Sequence, residues 1–247
     1  MIGAGVVDRE YFTFIQGIYM QEAIVRAKKA AAEEAVNYIA PGMTIGLGTG
    51  STAYWAIVKI GELVKQGLNI RAIATSAASE ALAQRLHIPL VNFAGISHID
   101  VDIDGADEID EQLNLTKGGG GALLREKIIA AASKRMIVIA DDAKKVKTLG
   151  AFALPVEVVR FGWEMTLRKL EATGNKPSLR KEGDYPFLTD NGNYIIDCAY
   201  GEIPDPASLD TLLHRIPGVV ETGLFVQMAH TVIIGKADGT TTTLHHL

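Results

Sequence analysis

Residues 20–142 alternate between two patterns of apolar positions, one typical of helices and one typical of strands. Helical spacing predicts helices over residues 21–40, 51–67, 77–87 and 120–134. Short apolar runs predict strands over residues 43–48, 69–76, 89–93, 98–104 and 135–142. Because most of these strands are separated by helices, we expect a parallel sheet with helices on both faces.

The pattern changes after Gly150, where strands and helices no longer alternate one by one. The predicted elements are a strand over 154–159, a helix over 162–174, a hairpin over 185–200 with the turn DNGN, a helix over 205–218 and a strand over 219–225. This β-α-β-β-α-β-like order predicts a small α+β domain. A closing hairpin over 230–244 is predicted to return to the first domain.

These patterns divide the chain into four segments. We expect a first domain over residues 20–150, an α+β domain over 151–226, and a returning hairpin within 227–247. Met20 opens the first convincing helix. Residues 1–19 are therefore interpreted as an N-terminal extension or an upstream-start artefact, and the alternative is that they pack on the surface.

Composition and charge narrow the class of protein. The 247 residues are 48% hydrophobic and 21% charged, and a formal net charge of -5 argues against a nucleic-acid partner. The single cysteine, Cys198, cannot form an intramolecular disulfide and fits a cytoplasmic protein. Residues 1–20 are interrupted by Asp8, Arg9 and Glu10, unlike a secretory signal, and no apolar run reaches the ~18 residues of a spanning helix. We therefore expect no membrane partner.

A glycine-rich turn, GLGTGST over residues 46–52, lies between a predicted strand and a predicted helix. Its glycines let backbone N–H groups approach an anion, and the helix N-terminus adds free donors and a positive dipole end. The hydroxyls of Thr49, Ser51 and Thr52 add donors, with Ser51 or Thr52 near the N-cap. Neither the dinucleotide pattern GxGxxG nor a Walker lysine is present. The turn predicts a phosphate-monoester site, and the alternative is a tight turn into a capped helix.

Acidic residues alternate with apolar ones along DVDIDGADEID, residues 100–110. Asp100, Asp102 and Asp104 share one face of the predicted strand. Because ligands bind beyond the carboxyl ends of such strands, Asp104 and Asp107 are the better site candidates and Asp100 is a weaker one. Two alternatives stay open, a polar edge strand and a divalent-metal site of the magnesium type. The adjacent histidines at 245 and 246 are not expected to bind a metal.

The segment KGGGGALLREKI, residues 117–128, combines a lysine with a second glycine-rich turn at the start of a helix. Residues 118–121 offer backbone donors, and Lys117 brings positive charge toward the acidic strand. Glu126 has only small or apolar residues three and four positions away. Burial there would raise its pKa and make Glu126 a candidate base. The alternative is a glutamate at the rim of an amphipathic helix.

The motifs GLGTGSTA, DGADEID, KGGGGALLREKI and LPVEVV, in this order and spacing, resemble ribose-5-phosphate isomerase of the A type. TDNGNYIIDC and IPGVVETGLF continue the likeness, which covers residues 20–236. The resemblance implies interconversion of ribose 5-phosphate and ribulose 5-phosphate in the non-oxidative pentose phosphate pathway. It also implies a Rossmann-like sheet, a ferredoxin-like α+β domain, and a homodimer or homotetramer. We expect the reaction to need neither a redox cofactor nor a metal.

The resemblance also assigns site residues, position by position. They are the substrate loop Thr49, Gly50, Ser51 and Thr52, the acidic pair Asp104 and Asp107 with Gly105 and Ala106 between them, the segment Lys117, Gly118, Gly119 and Gly120, the general base Glu126, and the lysines Lys28 and Lys144. The sequence departs from many relatives at Gly121, where they carry alanine, and residues 1–19 have no counterpart.

These residues suggest a division of labour in the expected reaction. Asp104 would move protons in ring opening, and Glu126 would shuttle the proton next to the carbonyl. Lys117 and the amides of residues 118–120 would stabilise the enediolate. Asp107 would hold hydroxyls or orient Lys117.

Two other functions stay open from the sequence alone. One is a glucosamine-6-phosphate deaminase-like enzyme, which ammonia release would reveal. The other is a non-enzymatic sugar-phosphate sensor, although no helix-turn-helix or basic segment is visible.

Overall fold

The structure, a computed structural model, describes the backbone of residues 4–245 and the side chains of residues 20–245. Its helices are α1 Ala4–Val36, α2 Ser51–Lys65, α3 Ala77–Arg85, α4 Leu123–Ala131, α5 Trp163–Glu171 and α6 Pro206–His214. Its strands are β1 Thr44–Leu47, β2 Arg71–Ala74, β3 Val101–Gly105, β4 Glu108–Ile109, β5 Leu115–Thr116, β6 Met136–Asp141, β7 Leu154–Val158, β8 Lys176–Leu179, β9 Lys181–Glu182, β10 Tyr185–Pro186, β11 Tyr194–Ala199, β12 Val219–Thr222, β13 Leu224–Phe225, β14 Thr231–Gly235 and β15 Thr241–His245.

The main sheet has the strand order β15-β14-β6-β3-β1-β2. Its strands run parallel except β15, which pairs antiparallel with β14. The order reverses beside β1, because β2 lies on one side of it and β3 on the other. In open parallel sheets such a reversal leaves a crevice at the carboxyl ends of the strands, where ligands bind. The loops that follow β1 and β3 flank that crevice.

Helices cover both faces of this sheet and supply its core. Ala31 and Ala35 of α1 and Ile57 of α2 pack against Ile45 and Ile103 on one face. On the other face, Ala130 of α4 joins the apolar cluster formed with Met136 and Val138 of β6 and with Phe225. The predicted α/β fold, a parallel sheet between helices, is confirmed.

A second unit has the element order β7-α5-β8-β11-α6-β12 and an antiparallel sheet ordered β12-β7-β11-β8. The short hairpin of β9 and β10 lies between β8 and β11. A small sheet links the two units, because β13 pairs with β5 immediately before Lys117, and Lys117 N donates to Gly223 O. The glycine-rich segment after β5 is therefore held from both sides. The division into domains at residues 150 and 226 stays a prediction.

The predicted start of the first helix is wrong, because α1 begins at Ala4 rather than near Met20. Residues 4–20 contain no proline, so nothing in their sequence forces a break. Residues 1–3 of the predicted extension, like His246, lie outside the described part of the chain. No helix in the described part is both long and apolar enough to cross a bilayer.

Two other predicted elements differ from the structure. Residues 89–93 form no strand: Leu90 makes only an isolated bridge to Ala72, and Phe93 enters a 3-10 turn. The predicted hairpin over 185–200 is also wrong, because β11 pairs with β7 and with β8. The segment of β8 reads Lys-Pro-Ser-Leu, whose polar composition hides it from pattern-based prediction.

Candidate functional site

The turn after β1 leads into α2 without a side-chain cap among the described residues. Gly50, at φ 104°, occupies the N-cap position that was predicted for Ser51 or Thr52. Lys28 Nζ donates a hydrogen bond of 2.9 Å to Ser51 Oγ. A cation beside a helix N-terminus is unfavourable by itself, since the dipole is positive there. An anion bound between them removes that conflict, so this geometry supports the predicted phosphate site.

The hydroxyl of Thr49 faces the protein. Thr49 Oγ1 lies 2.6 Å from Thr75 Oγ1 and 2.8 Å from Ser76 Oγ, and Ser79 Oγ donates to Gly48 O at 2.7 Å. The Thr49 hydroxyl thus ties the turn to the loop after β2, and its role as a phosphate donor stays a prediction. This hydroxyl cluster was not predicted from the sequence, although Ser76 is a recognisable N-cap of α3.

Asp100, just before β3, and Asp102 and Asp104 within it have three different environments. β3 lies inside the sheet, so the polar edge-strand alternative is wrong. Asp100, at the amino end, accepts from Thr44 N at 2.9 Å and pairs with Lys134 at 2.9 Å, and these contacts lower its pKa. Asp102 is fully buried, and neither of its carboxyl oxygens has a hydrogen-bond partner among the described residues. Asp104, at the carboxyl end, pairs with Lys117 at 3.0 Å.

The Asp102 carboxyl is expected to be neutral. Burial, and then the charge of Asp104, raise its pKa well above the ordinary value. The carboxyl packs directly over Gly46 of β1, where an added Cβ would clash with Asp102 Oδ1.

We expect Asp102→Asn to change how stability depends on pH. Above the unfolded-state pKa, near 4, folding of the wild type must bind a proton at Asp102, so its stability falls as pH rises toward the folded-state pKa. The variant lacks this proton uptake and should gain up to about 1.4 kcal/mol per pH unit relative to the wild type. Urea unfolding at pH 5 and pH 7 measures this difference. Parallel losses of stability in both proteins would show that Asp102 folds in its ionised form.

Lys117 lies beside two buried carboxyl groups, those of Asp104 and Glu126. Its Nζ is 3.0 Å from Asp104 Oδ2 and 3.5 Å from Glu126 Oε2, and it donates to Gly105 O. Burial by itself would lower the pKa of Lys117, but the charges of Asp104 and Glu126 outweigh burial and hold that pKa above its ordinary value. Lys117 is therefore a buried, charged ammonium group.

Asp104 lies beneath the surface of the site. It is fully buried, and its Oδ1 accepts from Thr49 N at 2.9 Å and from Gly105 N at 2.7 Å. Its Oδ2 faces Lys117. The carboxylate thus joins the turn after β1 to the end of β3 and lies 3.0 Å from the Lys117 ammonium group, beneath the lining of the cleft rather than in it.

Glu126 is buried on α4, as the sequence predicted from its apolar neighbours. Burial raises its pKa to about 8, an effect that Lys117 opposes and that Asp104 and Asp107 reinforce. Its Oε2 accepts no hydrogen bond among the described residues, although Lys117 is near. A carboxylate with a pKa near neutrality and a free oxygen is suited to taking and returning a proton.

For a reaction in which Glu126 acts as the base, we expect kcat/KM to rise with pH up to about pH 8. A base must be ionised to accept a proton, and Glu126 with a pKa of about 8 is mostly protonated at lower pH. The rate constant should therefore fall about tenfold per pH unit below that value. A phosphate monoester titrates near pH 6, so its own ionisation is separable. A profile from pH 5.5 to 9.5 that stays flat down to pH 6 would contradict this expectation.

Asp107 is the carboxylate that faces the site. Its Oδ2 accepts from Gly119 N at 2.8 Å. A Cβ added at Gly119 would lie 2.8 Å from Asp107 Oδ1, so this close approach requires glycine. The other carboxylate of the predicted pair, Asp104, lies behind it.

All the predicted site residues except Asp104 line one cleft above the carboxyl ends of β1 and β3. The lining consists of Lys28, Thr49, Gly50, Ser51, Thr52, Gly105, Ala106, Asp107, Lys117, Gly118, Gly119, Gly120, Glu126 and Lys144. Positive charge from Lys28 lies at the α2 end of the cleft, while Lys117 and Glu126 form its floor.

The family model and the sequence relatives that match this chain all carry the same family name. The model of the family ribose 5-phosphate isomerase A (phosphoriboisomerase A) matches residues 71–239. Ribose-5-phosphate isomerase A of Bacillus cereus is 54% identical over 213 residues, which are 86% of this chain and 97% of the relative. The protein of the same name from Sphingopyxis alaskensis is 51% identical over 214 residues, 87% of this chain and 94% of the relative.

Solved structures agree with these sequence matches. Ribose 5-phosphate isomerase A from Methanocaldococcus jannaschii superposes with a TM-score of 0.84 at 38% identity, covering 88% of this chain and 97% of that one. A D-ribose-5-phosphate isomerase in complex with phospho-erythronic acid gives a TM-score of 0.85 at 40% identity, with the same two coverages.

Proposed function

We propose, from the premise that this chain belongs to the ribose 5-phosphate isomerase A family, that it interconverts D-ribose 5-phosphate and D-ribulose 5-phosphate with Glu126 as the base. The observation that carries the proposal is the buried Glu126 carboxyl beside the Lys117 ammonium, on the floor of a cleft with an open helix N-terminus at one end. The test is ketose formation from ribose 5-phosphate, followed by absorbance. No ketose from a folded preparation would overturn the proposal.

The phosphate group would bind at the N-terminus of α2. Ser51 and Thr52 belong to its first turn, and Lys28 already contacts the Ser51 hydroxyl at 2.9 Å. Backbone N–H groups, the helix dipole and one ammonium group together match a phosphate dianion. The sugar chain would then extend toward Glu126, with Lys144 at the cleft wall.

Ring opening is better assigned to Asp107 than to Asp104. Both oxygens of Asp104 already face protein groups, whereas Asp107 lines the cleft. Asp104 would hold Lys117 and the turn after β1 in place. On this assignment Asp107→Asn should slow single turnover of the cyclic aldose more than that of the open-chain ketose. Equal losses in the two directions would count against it.

Proton transfer would proceed through an enediolate. Glu126, once ionised, takes the proton next to the carbonyl and returns it to the neighbouring carbon. Negative charge develops on the substrate oxygens, and Lys117 together with the amides of the glycine-rich segment can stabilise it in this water-poor floor. The Lys117 ammonium group, whose Nζ lies 3.5 Å from Glu126 Oε2, would therefore stabilise the negative charge of the intermediate.

This mechanism assigns no step to a metal or a redox cofactor. The ammonium group of Lys117 already supplies positive charge where the enediolate forms. Among the described residues, Asp210, His214 and Glu221 could together offer ligand atoms to a metal, but none of them lines the cleft. Lys127 Nζ also lies 2.6 Å from Glu221 Oε1, which disfavours a cation there.

The phosphate should assist catalysis as well as binding. Because its site lies at the far end of the cleft from Glu126, its binding energy can hold the open chain against the base. Saturating ribose, which lacks the group, should give a kcat at least about 10²-fold lower than ribose 5-phosphate. Replacing Ser51 and Thr52 by alanine should weaken binding of ribose 5-phosphate and leave the slow ribose reaction nearly unchanged.

Steady-state kinetics tests this prediction, with ribose and ribose 5-phosphate each measured on the wild-type protein and on the double variant. If ribose reaches the same kcat as its phosphate, or if the double variant loses both reactions equally, the turn after β1 is not a phosphate handle.

We also propose a cytoplasmic homodimer or homotetramer. Support comes from large apolar side chains at the start of α5, where Phe161 is 95% and Met165 58% exposed. Light scattering on the purified chain measures the assembly directly, and a monomer at micromolar concentration would exclude both oligomers.

A further inference from the structure

Arg180, between β8 and β9 of the second unit, contacts the glycine-rich segment of the first. Its Nη1 donates to Gly118 O at 2.8 Å and to Gly119 O at 3.1 Å. Its Nε donates to Asp197 Oδ2 at 2.9 Å, and its Nη2 donates to Asp197 Oδ1. Arg180 therefore links two consecutive carbonyls of the cleft to a carboxylate fixed on β11.

The contact requires the shape of an arginine. A guanidinium group is a planar fork that can bind a carboxylate with two nitrogens and still present the third to other acceptors. Asp197 is paired with Ser178 across β11 and β8, so its backbone position is fixed by the sheet. The Arg180 side chain is mostly buried, at 15% exposure, which strengthens these bonds relative to those in open solvent.

The two carbonyls determine where the neighbouring N–H groups point. In a planar trans peptide the C=O and the N–H point in opposite directions. The Gly118 carbonyl accepts from Arg180, and the N–H of the same peptide, on Gly119, donates to Asp107 in the cleft. By the same geometry, the Gly119 carbonyl bound to Arg180 directs the Gly120 N–H away from Arg180, toward the cleft.

The Gly120 N–H has no acceptor among the described residues. Gly120 lines the cleft, and a Cβ added there would lie 3.5 Å from Thr49 Cγ2 on the opposite wall. A free backbone donor beside Lys117, with its orientation fixed from behind, is the arrangement that stabilises a developing oxyanion.

We propose that Arg180 is a positioning residue for the isomerase reaction, which orients the Gly118–Gly119 and Gly119–Gly120 peptides so that their N–H groups face Asp107 and the enediolate oxygens. The proposal rests on the isomerase function. It gives the second unit a part in catalysis, although Arg180 itself does not line the cleft.

The test measures the inhibition constants of two inhibitors that probe different ends of the cleft. Phospho-erythronic acid carries a planar carboxylate that resembles the two oxygens of an enediolate, whereas inorganic phosphate probes only the N-terminus of α2. Arg180→Gln should lower kcat by about 10–10²-fold, the usual cost of a small misplacement of catalytic groups. The same substitution should weaken the binding of phospho-erythronic acid by a similar factor and leave the inhibition constant of inorganic phosphate unchanged.

Arg125→Gln is the matched control. Arg125 also joins the first unit to the second, through Asn191 Oδ1 at 3.0 Å and Asp190 O at 2.9 Å, but it does not contact the glycine carbonyls. It should lower the melting temperature comparably and leave the ratio of the two inhibition constants at the wild-type value. Should Arg180→Gln fail to fold, Arg180→Lys, which keeps the charge without the fork, should give a smaller loss of the same kind.

Three results would overturn the proposal. One is a folded Arg180 variant with wild-type kcat and wild-type affinity for phospho-erythronic acid. Another is an Arg180 variant that binds both inhibitors more weakly by the same factor, which would indicate a general loosening of the cleft. The third is an Arg125→Gln variant with the same altered ratio. A wild-type protein without isomerase activity would instead refute the function itself, so the two failures are distinguishable.

Discussion

Glu126→Gln is expected to lower kcat by about 10²–10⁴-fold while the protein stays folded. The amide has the shape of the protonated carboxyl but cannot accept a proton from carbon. Burial raises the pKa of Glu126 to about 8, so the wild-type carboxyl already spends much of its time at neutral pH in the uncharged form that glutamine imitates. We therefore expect little loss of stability, and steady-state kinetics with a thermal unfolding curve checks both statements.

Glu157→Gln is a suitable control for this substitution. Glu157 is also fully buried, but it lies on β7 and accepts from Thr189 Oγ1 at 3.0 Å and Asn193 Nδ2 at 2.9 Å, outside the cleft. Its replacement should reduce stability and leave kcat near the wild-type value. Near-normal turnover by folded Glu126→Gln, or an equal loss in Glu157→Gln, would end the assignment of Glu126 as the base.

Lys117→Met is expected to affect both catalysis and stability. The thioether chain has a similar length but carries no charge, so kcat should fall by about 10²–10³-fold through loss of oxyanion stabilisation. Removing one partner of a buried ion pair typically costs about 3–5 kcal/mol, because Asp104 is left without its counter-charge. Since Lys117 opposes the rise of the Glu126 pKa, the rising limb of the kcat/KM profile should also move to higher pH.

Lys127→Met provides the comparison. Lys127 Nζ lies 4.9 Å from the centre of the Phe225 ring, and Lys117 Nζ lies 5.4 Å from the same ring. Lys127 pairs with Glu221 rather than with site residues, so its variant should keep the wild-type pH profile and kcat. A Lys117→Met protein with an unshifted profile would show that its ammonium group does not set the ionisation of Glu126.

Local sequence patterns were sufficient to predict much of the cleft. Glycine-rich turns and a helix N-terminus follow strands in the sequence, and in a parallel sheet such strand ends meet at one edge. Ser51, Asp107 and Lys117 are thereby expected at one place, and all three line the cleft. The burial of Glu126 was likewise predictable, because helical spacing places it among apolar residues.

The contacts that support the cleft could not be predicted in this way. Arg180 reaches Gly118 across 62 positions of the sequence, and no spacing rule covers such a distance. The same holds for Thr75, which lies in the loop after β2 and contacts the Thr49 hydroxyl directly. Asp104 was predicted to face the substrate, but it lies fully buried beneath the cleft. Strand alternation fixes only the face of a side chain, and its depth depends on the loops packed above it.

Deuterium exchange into ribulose 5-phosphate tests the central claim, that Glu126 moves the proton between the two carbons. In D₂O the wild-type protein should exchange the reacting hydrogen at C1 with solvent, as followed by NMR. Glu126→Gln should lose this exchange by the same factor as it loses kcat, because both require the same proton abstraction. Exchange that continues at the wild-type rate while isomerisation falls would contradict the account and would assign Glu126 to another step.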